Sequence, residues 1–372
     1  MEASDALVDE ACRVFGPDAG SPGGLVAAPI GHQVVASATA GLWRVRAGDR
    51  RAVVKVLTPT AGAGSERWRS GVDAAHWYYW RREADAYASG LLASLSGGLR
   101  APACHLVAAR PDGTVALWLD DVAGTPATAW PLDRYGVAAR HLGEAQGAFV
   151  AGRPLPADGW LSRDWLRAYV AQRHGDLAHL RDAAAWRHPD VAAWFPRPPV
   201  DELAALWADR GRFLAVLDTL PRTVAHLDLH PANMFAGEAP GAGPDDATMV
   251  IDWAFVGVAA VGEDPGNLVP DAVLDFHVPP DRLADLEDVV AEGYHAGLRA
   301  AGWTGSLDDV RLAMAAAMVA KFGWLAPFLL RAASERRERL NGRPFAEAVA
   351  AWAPTLRFLL ERADEVRAGA AP

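Results

Sequence analysis

His226-Leu227-Asp228-Leu229-His230-Pro231-Ala232-Asn233 puts a carboxylate and, five positions on, a side-chain amide into one short polar segment. Val250-Ile251-Asp252-Trp253 follows, with a lone acid closing an apolar run. Phosphoryl transfer to a hydroxyl needs a carboxylate that orients the nucleophile and takes its proton. It also needs hard oxygen donors for magnesium, which takes only one or two ligands from protein. Asp228 suits the first task, and Asn233 and Asp252 suit the second. Zinc is a poor reading of His226 and His230, because no glutamate lies between them and Pro231 follows directly. No Gly-x-x-x-x-Gly-Lys-Ser/Thr loop and no dinucleotide fingerprint occurs.

Upstream of these motifs the texture is strand-like. Residues 34–37, 42–45 and 51–57 read as strands joined by tight turns, and 105–109 and 115–119 as two more around Pro111-Asp112-Gly113. A glycine- and serine-rich loop at 61–65 precedes a polar-aromatic segment, 73–92, read as a helix. Lys55 sits in the alternating run Val53-Val54-Lys55-Val56-Leu57. Such a lysine either snorkels to water or meets an anion. Glu83 is the candidate partner on the following helix.

After Asp120-Asp121 the chain becomes helical, with periodic segments at 135–149, 162–180, 201–220, 282–300, 307–331 and 344–366. A glycine- and proline-rich loop spans 237–246. Strands first and helices second is an α+β layout. The expected division is a 1–25 extension, a 26–121 N-lobe and a 122–372 helical C-lobe.

Lys plus Arg is 36 and Asp plus Glu is 46, a formal net charge of −10. An acidic chain disfavours nucleic acid as a partner, since phosphate backbones need a basic face. Hydrophobic residues make up 51%, enough for a packed core. Cys12 and Cys104 are too few for a disulfide framework or a zinc site, which points to a cytoplasmic protein. Residues 312–330 are nearly all apolar, but Lys321, Gly323 and Pro327 interrupt them, so a buried helical hairpin is expected and no membrane span.

Taken in order, the strand lysine, helix glutamate, His226–Asn233 motif and Ile251-Asp252-Trp253 resemble the aminoglycoside phosphotransferase-like family. That family shares the fold of protein kinases and choline kinases. The resemblance spans about residues 34–264. Leu227 stands where the family motif usually has glycine, and the phosphate-covering loop at 37–41 has one glycine. The resemblance implies an α+β, two-lobed protein-kinase-like fold with a small antiparallel-sheet N-lobe and a larger, mostly helical C-lobe. It implies Asp228 as catalytic base, Asn233 and Asp252 as Mg2+ ligands, and Lys55 paired with Glu83 on the nucleotide phosphates. Leu119, Asp120 and Val122 would form the hinge whose backbone holds adenine. ATP is the expected cofactor, with GTP a second candidate.

The activity implied is transfer of the γ-phosphate to the hydroxyl of a small molecule, an aminoglycoside-like antibiotic or amino sugar. A metabolic kinase for choline, homoserine or another small alcohol is the alternative, and a non-catalytic nucleotide-binding pseudokinase a further one. Asp264, Asp271 and Asp275 are candidate contacts for a cationic acceptor. Trp253, Trp303 and Trp324 could stack on a sugar, although core packing is the default for tryptophan. Monomer and homodimer are both compatible with the sequence.

Overall fold

The computed structural model describes residues 5–21, 23–31, 38–60, 68–173, 177–237 and 247–369. The strand reading at 34–37, the loop at 61–65 and most of the 237–246 loop lie outside them. The chain divides into two compact units. One holds residues 1–124, 156–162 and 235–256, and the other holds 125–155, 163–234 and 257–372.

A five-stranded antiparallel sheet is the main element of the first unit. Its spatial order is Val26–Pro29, Thr39–Ala47, Arg50–Leu57, Val115–Leu119, Cys104–Ala109. The period-2 alternation of a strand sorts its side chains onto two faces. Ala52, Val54 and Val56 pack with Val45, Ala116 and Trp118 on one face. Leu57 packs with Leu117, Leu119 and Ala84 on the other. Lys55 pairs in register with Leu117 and shares the second face. A one-residue slip would move Lys55 to the wrong side, so core packing also sets the position of its ammonium.

The Asp5–Phe15 helix covers the first face, burying Ala11 against the sheet. Glu10 fixes it there: both carboxylate oxygens accept from the Arg110 guanidinium, at 2.7 and 2.8 Å, and Oε2 accepts from Trp118 Nε1 at 2.9 Å. A bidentate, largely buried pair of this kind is among the stronger polar contacts.

The helix expected over 73–92 is only Arg82–Ala88. Ahead of it the chain turns back on itself. Gly71 N–H bonds to Tyr78 O, Trp80 N–H bonds to Gly71 O, and the Asp73 carboxylate caps Ala75 N–H. Aromatic residues dominate here without a 3.6-residue apolar period, so tertiary contacts decide the backbone.

The second unit is mainly helical. Its central pair, Leu132–Val150 and Leu283–Ala300, approaches very closely. A Cβ on Gly293 would lie 2.1 Å from Gly136 O, and one on Gly143 would lie 2.2 Å from Tyr294 O. Glu263–Leu274, Leu307–Phe322 and Phe345–Gly369 pack around this pair. The apolar stretch at 307–334 is long enough to cross a membrane by composition, yet 83% of its apolar window is buried in the fold. It is broken near Gly323 into two helices, Leu307–Phe322 and Leu325–Ser334. A two-stranded ladder joins Arg222–Ala225 to Gly257–Ala260 and delivers the chain directly into His226.

Candidate functional site

In the first unit, Lys55 Nζ lies 2.6 Å from Glu83 Oε2 and 2.7 Å from Asp252 Oδ1. Lys55 and Glu83 are buried, at 8% and 1% exposure, while the Asp252 side chain is 43% exposed. Burial alone would lower the lysine's pKa, but the charges of Asp252 and Glu83 outweigh it and raise it. The ammonium is therefore charged. Burial also pushes the Glu83 carboxyl up, against the lowering effect of Lys55. Desolvating three charges is costly, and one acid of the three stays open to water.

Asp252 follows the Ala247–Val250 strand in a left-handed conformation, φ 62°. A non-glycine residue there is uncommon and concentrates at functional sites. Trp253 is 2% exposed, and its indole donates to Val250 O at 2.8 Å, so it is a core residue and no sugar platform.

In the second unit, the 226–233 loop is held by its own backbone and by Asp264. His226 is 1% exposed, and its Nδ1 accepts Asp228 N–H at 3.2 Å. Asn233 Nδ2 donates to Asp228 O at 3.1 Å, which fixes the orientation of the amide and hence of its oxygen. Leu227 is left-handed, φ 69°, the geometry for which glycine would be the relaxed residue.

Asp264 does not face an acceptor. It is 1% exposed, in the first turn of the Glu263–Leu274 helix, and its oxygens accept His226 N–H at 2.8 Å, Leu227 N–H at 2.7 Å and Gln146 Nε2 at 2.7 Å. Gln146 Oε1 in turn accepts Tyr294 OH at 2.5 Å. Burial pushes the Asp264 carboxyl up to about 6, against the three N–H donors. Asp264 thus anchors the loop. The sequence offered no direct sign of this, because its partners are backbone amides far away in the chain.

Asp271 and Asp275 are also committed. Asp271 Oδ2 meets Lys321 Nζ at 3.0 Å. That lysine is 4% exposed and lies among the rings of Trp165, Tyr169 and Phe322, 5.0–5.9 Å from their centroids. Asp275 accepts from Asn341 Nδ2 at 3.0 Å, and burial raises its pKa. Trp324 carries the Arg173 guanidinium 4.1 Å above its ring.

Leu119 ends a fully buried strand, and Asp120 N–H is bonded to Ala103 O at 2.9 Å. Of the backbone donors expected to hold adenine, that of Asp120 is therefore spent. No group of three or more His, Cys, Asp or Glu among the described residues could hold a metal. A small hard cation completed by phosphate and water needs no such cluster. The water-accessible Asp252 carboxylate of the first unit suits that donor chemistry, and so, taken by itself, does the oriented Asn233 amide of the second.

No protein-family model matches the sequence, and no curated relative matches it. Likeness appears in three dimensions. An amicoumacin kinase, solved with AMP-PNP, Ca2+ and Ami, superposes with a TM-score of 0.55 at 10% identity over 96% of this chain and 93% of that one. The choline kinase of Cryptosporidium parvum gives 0.55 at 12% identity, over 99% and 97%. The chain has the protein-kinase-like fold of the small-molecule phosphotransferases. An aminoglycoside phosphotransferase from Alicyclobacillus acidocaldarius carries this fold too, at a TM-score of 0.51 and 14% identity, over 91% of this chain and 92% of that one. At such identities the likeness concerns the fold alone. The α+β class and its order, antiparallel sheet first and helices second, agree with the sequence reading.

Proposed function

We propose that this protein is a nucleotide-dependent small-molecule O-phosphotransferase using ATP and Mg2+. The observation that carries the reading is the Lys55 ammonium held between buried Glu83 and water-accessible Asp252. A purely structural site gains little from burying these charges, since apolar side chains of similar volume serve stability as well. A polyphosphate and its counter-cation give them a task.

In this reading Lys55 binds the nucleotide's α- and β-phosphates, and Glu83 holds Lys55 in place. The Asp120 carbonyl and the Val122 backbone hold adenine. Asn233 and Asp252 would hold Mg2+, which would supply neutralisation of charge on the phosphate oxygens. Asp228 accepts the hydrogen bond of the acceptor hydroxyl. As the hydroxyl oxygen bonds to the γ-phosphorus, the bond from phosphorus to the β-bridging oxygen breaks, the nucleoside diphosphate leaves, and the hydroxyl proton passes to Asp228. The kinase of similar fold captured with AMP-PNP and Ca2+ supports a nucleotide with a divalent cation.

The acceptor we propose is a small-molecule alcohol, an aminoglycoside-like antibiotic or an amino sugar. One observation favours the second reading, a metabolic kinase for a neutral or singly charged alcohol. Asp264 is enclosed, Asp271 is neutralised by Lys321 and Asp275 accepts from Asn341, so all three acids expected to meet a cationic acceptor already have partners.

The test has two parts. Thermal shift with Mg-ATP and Mg-GTP should raise the melting temperature with at least one; silence with both removes the reading. Nucleotide consumption is then scored over aminoglycosides, amino sugars, choline and homoserine. Asp228→Ala should abolish turnover of the accepted substrate while keeping the nucleotide shift. Full turnover by that variant rules Asp228 out as base.

A further inference from the structure

Arg82 precedes Glu83 and is just as buried, at 1% exposure. Among the described residues no carboxylate pairs with it. Its guanidinium donates instead to four backbone carbonyls: Nε to Trp160 at 2.8 Å, one terminal nitrogen to Trp77 at 3.0 Å and Ala254 at 3.3 Å, and the other to His76 at 2.7 Å. Burial lowers its pKa to about 10, the opposite of what an ion pair would do. An enclosed cation compensated only by carbonyl dipoles costs stability. Its position relative to Asp252 gives that cost a purpose.

Every residue from Asp252 to Val256 has a hold on it. The Asp252 carboxylate meets Lys55. Trp253 N–H donates to Glu83 Oε1 at 3.2 Å. Ala254 O takes the Arg82 guanidinium. The Phe255 ring stacks on Trp77 at 5.9 Å and touches Tyr78 at 4.8 Å. Val256 N–H bonds to Trp253 O at 3.1 Å, and Val256 O accepts Ser162 N–H at 3.3 Å. Arg82 acts on this segment twice. It grips Ala254 directly, and by binding the His76 and Trp77 carbonyls it presents the rings that cover Phe255. Two consecutive residues of one short helix thus secure two consecutive residues after a left-handed aspartate.

We propose that Arg82 is a positioning residue for the metal carboxylate: it locks residues 252–256 so that Asp252 stands in its binding conformation before any ligand arrives. This rests on the reading of Asp252 as a metal ligand. The segment needs no ordering event to become competent, unlike switch segments that pass between ordered and disordered states. A lysine could not replace Arg82, since a point charge with three donors cannot span four carbonyls held in a planar fork.

The test uses the full chain. Hydrogen exchange of the metal-free protein reads the Trp253, Phe255 and Val256 amides in wild type, Arg82→Gln and the milder Arg82→Lys. Mn2+ binding in the presence of AMP-PNP is measured by the loss of the free Mn2+ resonance signal. Val45→Ala, in the core on the opposite face of the sheet, serves as a control of lowered stability. Both Arg82 variants should exchange these amides at least about tenfold faster and bind Mn2+ about 10–100-fold more weakly. Val45→Ala should lower the melting temperature and change neither. Wild-type exchange in Arg82→Lys, wild-type Mn2+ affinity in either Arg82 variant, or the same changes in Val45→Ala would overturn the proposal. A wild-type protein that binds no Mn2+ with AMP-PNP counts against the phosphotransferase reading and against the metal role of Asp252, while the exchange data still decide whether Arg82 locks the segment.

Discussion

Asp264 Oδ1 accepts the N–H of Leu227 at 2.7 Å, and Leu227 holds a left-handed backbone that a leucine adopts only at a cost. The two facts explain each other. A charge-assisted bond to that amide, and a second to His226 N–H, fix the turn just before Asp228. The leucine side chain, 1% exposed, adds burial that glycine would lack. Asp264→Asn keeps the shape but turns an NH2 group toward N–H donors, leaving at least one of them unpaired. We expect a loss of about 1–3 kcal/mol in chemical denaturation, and a fall in kcat that exceeds any change in nucleotide KM. Unchanged kcat in a folded variant would show that Asp228 does not depend on this anchor.

Lys55 and Glu83 should behave as a coupled pair. Lys55→Met leaves the enclosed Glu83 carboxylate without its cation, which costs about 3–5 kcal/mol. In the double variant Lys55→Met/Glu83→Gln neither charge of the pair remains, so part of that loss should return. A double-mutant cycle measured by urea denaturation gives the coupling. Strictly additive losses would mean that the 2.6 Å contact contributes nothing. Turnover should stay absent in both variants, which separates stability from function.

How far the sequence revealed this arrangement depended on the range of the contacts involved. Asp228 and Asn233 lie within one turn of chain, and Asp252 closes an apolar strand, so local spacing was enough to single them out. The alternation Val53-Val54-Lys55-Val56-Leu57 marked Lys55 as a strand lysine that either snorkels to water or meets an anion, and the sheet packing decides for the anion. Asp264 was singled out for the wrong task, because its partners are main-chain amides 37 and 38 positions away. Its helix was hidden as well, since Pro265, Gly266 and Pro270 lower helix propensity and only burial against other helices overrides them. Residues 73–81, expected as the start of the 73–92 helix, depart from it for a related reason. Their carbonyls are claimed by Arg82, a tertiary contact with no periodic signature.

Two glycine-to-alanine changes should move stability in opposite directions. A methyl at Gly293 would stand 2.1 Å from the Gly136 carbonyl, which cannot move unless the Leu132–Val150 and Leu283–Ala300 helices separate. Overpacking of this kind costs about 1–3 kcal/mol or more, beyond the roughly 1 kcal/mol that alanine returns in helix propensity. Gly211 lies exposed in the Arg210–Asp218 helix with nothing within 4 Å of its would-be Cβ. Gly211→Ala should therefore stabilise by about 0.4–1 kcal/mol. Thermal denaturation of both variants checks the pair, and a neutral Gly293→Ala would show that the two helices are less tightly apposed.

Glu263 predicts a pH dependence of stability. It is 5% exposed, its Oε1 accepts Ala260 N–H at 2.7 Å, and the nearest cation, Arg222, is 3.9 Å away. Burial raises its pKa from 4.5 to about 7, against the lowering effects of the Ala260 bond and Arg222. The folded state therefore holds a proton that the unfolded state releases. The contribution of Glu263 to stability is fully present below about pH 4.5 and is lost as pH rises through about 7. A shift of this size corresponds to roughly 3 kcal/mol at most. Glu263→Gln keeps an acceptor for Ala260 N–H and removes the titration. Denaturant unfolding at pH 5 and pH 8 should show the variant gaining on wild type mainly at pH 8. An equal difference at both pH values would mean that Glu263 titrates near its ordinary value in the folded protein.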